Sequence, residues 1–475
     1  MKKTFSFLCG AALLLAAASV NASAQTQSAF FLDNYAFNYR LNPALMSEKS
    51  FFGLGVGSIN ATLHSNVGLT SFIYPDPNNS GKLVTGFNNN ISADQFLGNL
   101  SDSNLLGSEF AVNLLAIGSR SEYKMGTFEI NVRGGLNAAL PGDFFKIMKC
   151  GTEQGGDFDL SSLAMGGKAY LELAFGRAKM NENKNFVFGH RTKILLGLAN
   201  INLNVNDFQL HSSDTEISAI TNADARIACS AINWGSDLSN PETMFAVDAS
   251  KLAPSGYGIA FDLGLVWKPF RLLTLSAGIT DIGGMVWNYN SLAEAKGQAA
   301  FNGFENVDEN TDFNAEIENV KSNFAQLMQL QKVEGTSSSL ELLPFTATVG
   351  AKFRPFVNFI SLGAVYTYHN TAVNPWYDAR VGATLTPFPW LSLSANMGQS
   401  SFGDVCGAAL SFNFLFLNFF VSADAYKGET GRMPQMISTG IAPVDDYLSM
   451  FPVNQFNYRI NAGITMQLGT RHKIR

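Results

Sequence analysis

Between Phe345 and Tyr426, apolar and polar residues alternate one by one, a short turn follows, and the alternation resumes. Tyr377, Ala379, Val381, Ala383 and Leu385 fall on one side, and Asp378, Arg380, Gly382 and Thr384 on the other. A period of two is that of a β-strand with one apolar and one polar face. After Pro387, Phe388, Pro389 and Trp390, the residues Leu391, Leu393, Ala395 and Met397 alternate with Ser392, Ser394, Asn396 and Gly398. The pair reads as a hairpin whose apolar face has to be covered.

The first residues bear on what covers it. Lys2 and Lys3 precede an apolar run from Phe5 to Val20, and Ala22-Ser23-Ala24 supplies the small residues a signal peptidase reads. Residues 1–24 are therefore expected to be a signal peptide, with the mature chain beginning near Gln25 outside the cytoplasm. Removing Lys2 and Lys3 takes the formal charge from -6 to -8, and no basic block points to nucleic acid. Cys150, Cys229 and Cys406 remain, an odd number without metal-ligand spacing, so neither a disulfide framework nor a metal or other cofactor is expected. Beyond the signal, no run approaches the 18 or so apolar residues of a membrane helix; Phe412 to Val421 is broken by Asn413 and Asn418.

A soluble β-sandwich would bury its apolar faces and turn polar ones to water. Here the apolar face continues from strand to strand, while the other carries Asp, Lys and Arg among Gly, Ser and Thr. That is the pattern of an all-β transmembrane antiparallel barrel, apolar outside and polar inside. The clearest strands are Tyr257–Trp267, the strand after Leu273, and Phe456–Leu468, where Phe456, Tyr458, Ile460, Ala462, Ile464, Met466 and Leu468 oppose polar residues and glycine. Phe51 to Phe72 reads as one long or kinked strand. Residues 204–256 and 285–343 read as excursions, the first undecided between hairpin and loop. Small helices are expected in the long loops, one near 93–100 and one over 313–327, where Phe313, Ile317, Val320, Phe324 and Leu327 recur at three- and four-residue steps.

Numbered back from the last strand, the tight turns fall on one side and the long loops on the other when the strands number about fourteen. Bacterial barrels keep short turns periplasmic and long loops external, which predicts both termini in the periplasm and an outer-membrane location. Lys268-Pro269-Phe270, Arg354-Pro355-Phe356 and Thr386-Pro387-Phe388 each mark a tight turn.

Alternation turns Glu129, Arg133, Lys168, Glu172, Asp262, Asp281, Lys352, Arg354, Asp378, Arg380, Asp424 and Arg459 away from lipid and so toward the lumen. They line a substrate path, or they pair across the barrel; the mixture of signs favours pairing, because a selective pore would carry one dominant sign. His64, His190, His211, His369 and His472 sit in no nucleophile or acid motif, so they read as interface or loop histidines rather than an enzyme's base.

With Asn42-Pro43-Ala44, the Thr280-Asp281-Ile282-Gly283 strand end and the repeated Pro-Phe turns, the chain resembles a Bacteroidota-type family of outer-membrane barrels of unknown function, placed near FadL-, PorV- and PorP-like barrels. In FadL-like proteins an Asn-Pro-Ala motif belongs to an N-terminal hatch. The resemblance thus implies that residues 25–49 fold inward as a plug, with the barrel over 50–475. It implies passive uptake of a small hydrophobic compound, or alternatively a non-transporting structural or secretion-accessory barrel. Lipid and the barrel-assembly machinery are the expected partners of a monomer. Gly469–Arg475 lacks a terminal aromatic, which displaces the usual assembly signal to the strand ending at Leu468.

Overall fold

Fourteen strands, each antiparallel to its neighbour in sequence, form the wall: β1 (Ser50–Ser65), β2 (Ser103–Arg120), β3 (Lys124–Pro141), β4 (Ala164–Met180), β5 (Phe186–Ser212), β6 (Gly256–Phe270), β7 (Leu273–Tyr289), β8 (Phe345–Phe353), β9 (Ile360–Asn370), β10 (Trp376–Phe388), β11 (Leu391–Ser400), β12 (Gly403–Phe414), β13 (Leu417–Lys427) and β14 (Tyr458–Leu468). They are seen in a computed structural model that describes residues 26–33, 35–68, 71–79, 82–151, 155–213, 216–238, 243–302, 322–323, 327, 329–355, 359–370, 375–401, 403–427 and 457–469. The expected signal peptide and nearly all of the expected 313–327 helix lie outside these residues. β14 pairs back onto β1, from Ser50↔Leu468 to Leu63↔Tyr458, and the sheet closes without an edge.

The alternation decides which way each side chain points. In β6, Tyr257, Ile259, Phe261, Leu263, Leu265 and Trp267 are all exposed, whereas Ala260 and Asp262 between them are fully buried. β10 behaves alike, with Tyr377, Val381 and Leu385 outward and Asp378, Arg380 and Thr384 inward. Large apolar groups outside and charged groups inside is the inverse of a water-soluble sandwich. Hydrocarbon is the solvent that such an outer face requires.

Five tight turns, at 121–123, 181–185, 271–272, 389–390 and 415–416, share one end of the barrel with the 354–359 connection, and the Ser50↔Leu468 pair puts the start of β1 and the end of β14 there too. The long connections gather at the opposite end. There α1 (Ala93–Leu97) is capped by Ser92, whose side chain accepts from the Gln95 amide, and it buries Phe96 against Phe72 and Phe145. Phe145 belongs to α2 (Gly142–Cys150), nine residues too short to show a periodicity in the sequence. The undecided excursion after residue 204 is a hairpin. β5 runs on to Ser212 and returns as Ile217–Ala228, which pairs with Ser291–Phe301 to build a sheet continuing beyond the barrel.

Two expectations need correction. β1 is one strand, but it ends at Ser65 rather than Phe72, and its pairing breaks between Phe52 and Ser58, where Gly55 takes φ +82° and Leu54 projects outward. Thr280-Asp281-Ile282-Gly283 does not end a strand; β7 continues through it to Tyr289.

Val381→Arg, mid-strand on the outer face, is expected to lower stability by about 2–4 kcal/mol in denaturant unfolding from lipid vesicles, as cations facing hydrocarbon do. In the protruding sheet, the His211 imidazole lies 2.6 Å from the Asp157 carboxylate, which holds its pKa above the usual value. That contact therefore stabilises the Gly156–Asp159 pairing fully below the ordinary histidine value of about 6.5 and is lost as pH rises through the higher folded value. Proton titration of His211 by NMR should show a midpoint above that of the Asp157→Asn variant.

Candidate functional site

The core of this molecule sits inside the barrel, and residues 26–49 supply much of it. Phe30, Phe31, Tyr35, Phe37, Tyr39 and Leu41 are buried among inward residues that include Phe51, Val187, Val266, Val365 and Phe420. Tyr35 and Phe37 meet Phe420 edge-on at 4.9 and 5.5 Å between ring centres, and Tyr39 stacks on Phe51.

Polar groups fasten this lead segment at several heights. Gln27 donates its amide to Asp424 at 2.9 Å, and Ser28 joins Asp424 and Asn396. Lys352 donates to the carbonyls of Phe31 and Leu32, both at 3.2 Å, while Asp33 meets Arg354 at 3.0 Å. Asn42 donates from Nδ2 to the carbonyls of Leu265 and Ala277, partners across β6 and β7, and its Oδ1 accepts from the Ala44 amide. Glycine makes this approach possible. A Cβ at Gly264 would stand 1.9 Å from Asn42 Oδ1, and one at Gly189 would stand 2.3 Å from the Pro43 carbonyl.

Above Asn42 lies an ion-pair network. Arg40 binds Glu129, which also binds Arg191. Arg191 reaches Asp262 at 3.1 Å; Lys193 bridges Asp262 and Asp281 at 2.7 and 2.6 Å; Arg133 bridges Asp281 and Glu172 at 3.0 and 2.8 Å. Four cations thus alternate with four carboxylates. Burying any one alone would be prohibitive, and alternation sets each charged group beside one of opposite sign. Local backbone geometry completes it: the β6–β7 register shifts between Phe261 and Leu263, Asp281 takes φ +65°, and its amide donates to Asp262 at 2.8 Å. This β-bulge turns Asp281 inward beside Asp262 instead of ending the strand. A cavity of about 50 Å³ remains among Arg40, Asn60, Asn113, Arg133 and Asp281.

A second cluster joins β10 and β13. Arg380 forks onto Asp378, binds Asp424 at 2.7 Å, and lies over the ring of Tyr426, whose hydroxyl donates to Asp378. Of the twelve charged positions expected in the lumen, Glu129, Lys168, Glu172, Asp262, Asp281, Asp378, Arg380, Asp424 and Arg459 are buried, and Arg133 and Lys352 are half-buried. Lys168 pairs with Glu341, and Arg459 lies 4.5 Å from the ring centre of Trp376. Arg354 lies past the end of β8 and is exposed at the tight-turn end, so it lines the rim rather than the lumen. Sequence reading missed Arg191, Lys193 and Arg40. The first two were detectable, since they sit two apart on the side of β5 opposite Phe186, Phe188 and Ile194; Arg40 lies in a stretch without alternation.

His369 Nδ1 lies 3.0 Å from the Thr346 hydroxyl and the ring stacks on Trp376, while Asp378 is held by Arg380 and Tyr426. Among the described residues, no group of three or more His, Cys, Asp or Glu side chains could hold a metal ion.

A closed fourteen-stranded barrel with an apolar outer face and a lumen of paired charges defines a transmembrane protein of the outer-membrane type. The chain belongs to a family of unknown function, DUF5723, whose sequence pattern matches residues 43–424. No curated protein sequence matches it. Among solved structures it is similar to the toluene transporter TbuX of Ralstonia pickettii (9% identity, TM-score 0.45, covering 92% of this chain and 95% of that one). It is likewise similar to the toluene transporter TodX of Pseudomonas putida (10%, 0.42, 95% and 95%) and to a FadL homologue of Pseudomonas aeruginosa (12%, 0.40, 95% and 100%).

Arg191→Met leaves Glu129 and Asp262 each short of a buried cation. A loss of about 3–5 kcal/mol is expected in denaturant unfolding, as for one half of a buried ion pair.

Proposed function

We propose that the protein is a monomeric outer-membrane channel in which residues 26–49 act as a plug, and that a small, mainly hydrophobic compound passes when this plug shifts. The observation that carries the reading is the way one segment holds its place: a few polar fastenings, at Ser28, Asp33, Arg40 and Asn42, around an aromatic interior. Phe30, Phe31, Tyr35, Phe37 and Phe420 offer an apolar solute contact, and the locally balanced charges favour neither sign of ion. In this reading the tight turns and both termini are periplasmic and the long loops external, as in bacterial barrels.

A second reading, a structural or secretion-accessory barrel, draws on the sheet that Ile217–Ala228 and Ser291–Phe301 raise beyond the barrel. Deleting that sheet should then abolish in-cell crosslinks to a partner protein while leaving solute uptake intact.

The channel reading is tested in liposomes. Gly264→Val places side-chain atoms where Asn42 sits, and the variant should admit toluene or a comparable apolar probe at least several-fold faster than wild type, with the lead segment newly open to protease. A folded variant with a released lead segment and no gain in flux would sink the proposal, as would wild-type protein that neither binds nor carries any apolar or amphiphilic probe.

A further inference from the structure

Among the described residues facing the lumen, one row stands outside the charge pairing described above. Glu109 of β2, Thr62 of β1 and Arg459 of β14 face the lumen in a single row, since Thr62 is the direct partner of both Glu109 and Arg459. All three are more than nine-tenths buried. Glu109 Oε2, Thr62 Oγ1 and an Arg459 amino group each lack a hydrogen-bond partner. Neighbouring charges are already committed. Asp424, opposite Arg459 across β13 and β14, accepts from Gln27, Ser28 and Arg380. Arg133 is held by Glu172 and Asp281, and Lys168 by Glu341.

We propose that this row is a binding site for a zwitterionic head group, Glu109 receiving an ammonium, Arg459 a carboxylate, and Thr62 a hydrogen bond between them. Adjacent antiparallel strands set facing Cα atoms about 5 Å apart, so Glu109 and Arg459 stand roughly 10 Å apart at the backbone, close enough to reach toward each other. Arg459 instead lies over Trp376 at 4.5 Å, with Tyr426 at 5.7 Å, and among the described residues no ion pair joins it to Glu109. A molecule carrying one charge would satisfy one side and leave the other buried and unpaired, which is the costly state. A molecule carrying both signs satisfies both. Trp376, which Arg459 overlies, is also stacked against His369.

The row lies toward the long-loop end, because Thr62 is three residues from the end of β1 and Arg459 is the second residue of β14. Asn42 holds the lead segment nearer the tight-turn end, against Leu265 and Ala277. The site is thus distinct from the Asn42 fastening, while Asp424, which holds Gln27 and Ser28, borders it as the cross-strand partner of Arg459. Two sources carry the same chemistry: a free amino acid and the joined termini of a short peptide.

Calorimetric titration of the full-length protein in detergent tests it, with phenylalanine and the dipeptide Phe-Gly as zwitterions and with phenethylamine and 3-phenylpropanoate as single-charge analogues. At least one zwitterion should bind tenfold or more tightly than both analogues, and the better of the two names the source. Glu109→Gln should remove that tenfold advantage while leaving 3-phenylpropanoate unchanged; Arg459→Gln should weaken both acids. Thr62→Val keeps both charges and the side-chain shape, and should weaken the zwitterion several-fold even if a charge variant fails to fold. No binding by any probe, equal binding of 3-phenylpropanoate and the zwitterions, or wild-type affinity in both Glu109→Gln and Thr62→Val would each overturn the assignment.

Discussion

Every backbone amide and carbonyl inside a bilayer needs a protein partner, because hydrocarbon offers none. The pairing of β14 with β1 meets that requirement for the whole wall at once. The rest follows from closure. A closed sheet has an inside, the period of two sends alternate residues there, and those residues must be satisfied without bulk solvent. The irregular stretch of β1 around Gly55 and the bulge at Asp281 are two of several places where the register of the ladder shifts, others lying at Asn113/Leu115 and Ala169/Tyr170.

What fills the inside is the second constraint. A lumen lined only by Arg133, Arg191 and Lys193 on one wall and Asp262, Asp281 and Glu172 beside them would leave Glu129 underserved, since Arg191 divides itself between Glu129 and Asp262. Arg40, from the lead segment, supplies the missing cation. The segment is in this sense part of the wall's electrostatics as well as a body within it. Asp424 makes the converse arrangement, an acceptor on the wall answered by the Gln27 amide and the Ser28 hydroxyl of the segment.

The barrel was legible because its signal is repeated. One alternating stretch such as Tyr377–Leu385 is ambiguous, but the parity of tight turns and long loops over the whole chain admits few strand numbers, and fourteen is the number found. The inward direction of Glu129, Asp262 or Arg380 was legible for the same reason. Their partners were not, because partnership depends on shear between strands and on the bulge that gives Asp281 its left-handed backbone. Residues 25–49 carried no periodic signal, so only the Asn42-Pro43-Ala44 resemblance pointed inward; the glycines that receive it, Gly189 and Gly264, lie on other strands and look in sequence like ordinary strand glycines. The extension of β5 to Ser212 was obscured because beyond residue 204 both of its faces carry polar residues, as befits a sheet outside hydrocarbon.

The bond from the Gln27 amide to Asp424 spans 397 positions of sequence. In kinetic terms, the start of the lead segment acquires its final contacts only after strands near the other end of the chain have been made. While the wall is incomplete, Phe30, Phe31 and Phe37 have no cavity to enter, and they remain an aromatic-rich, unprotected stretch. Contacts of such separation fold slowly. The interval before closure is therefore the period in which these aromatic side chains are most exposed, and the seated lead segment is a record that the barrel has closed.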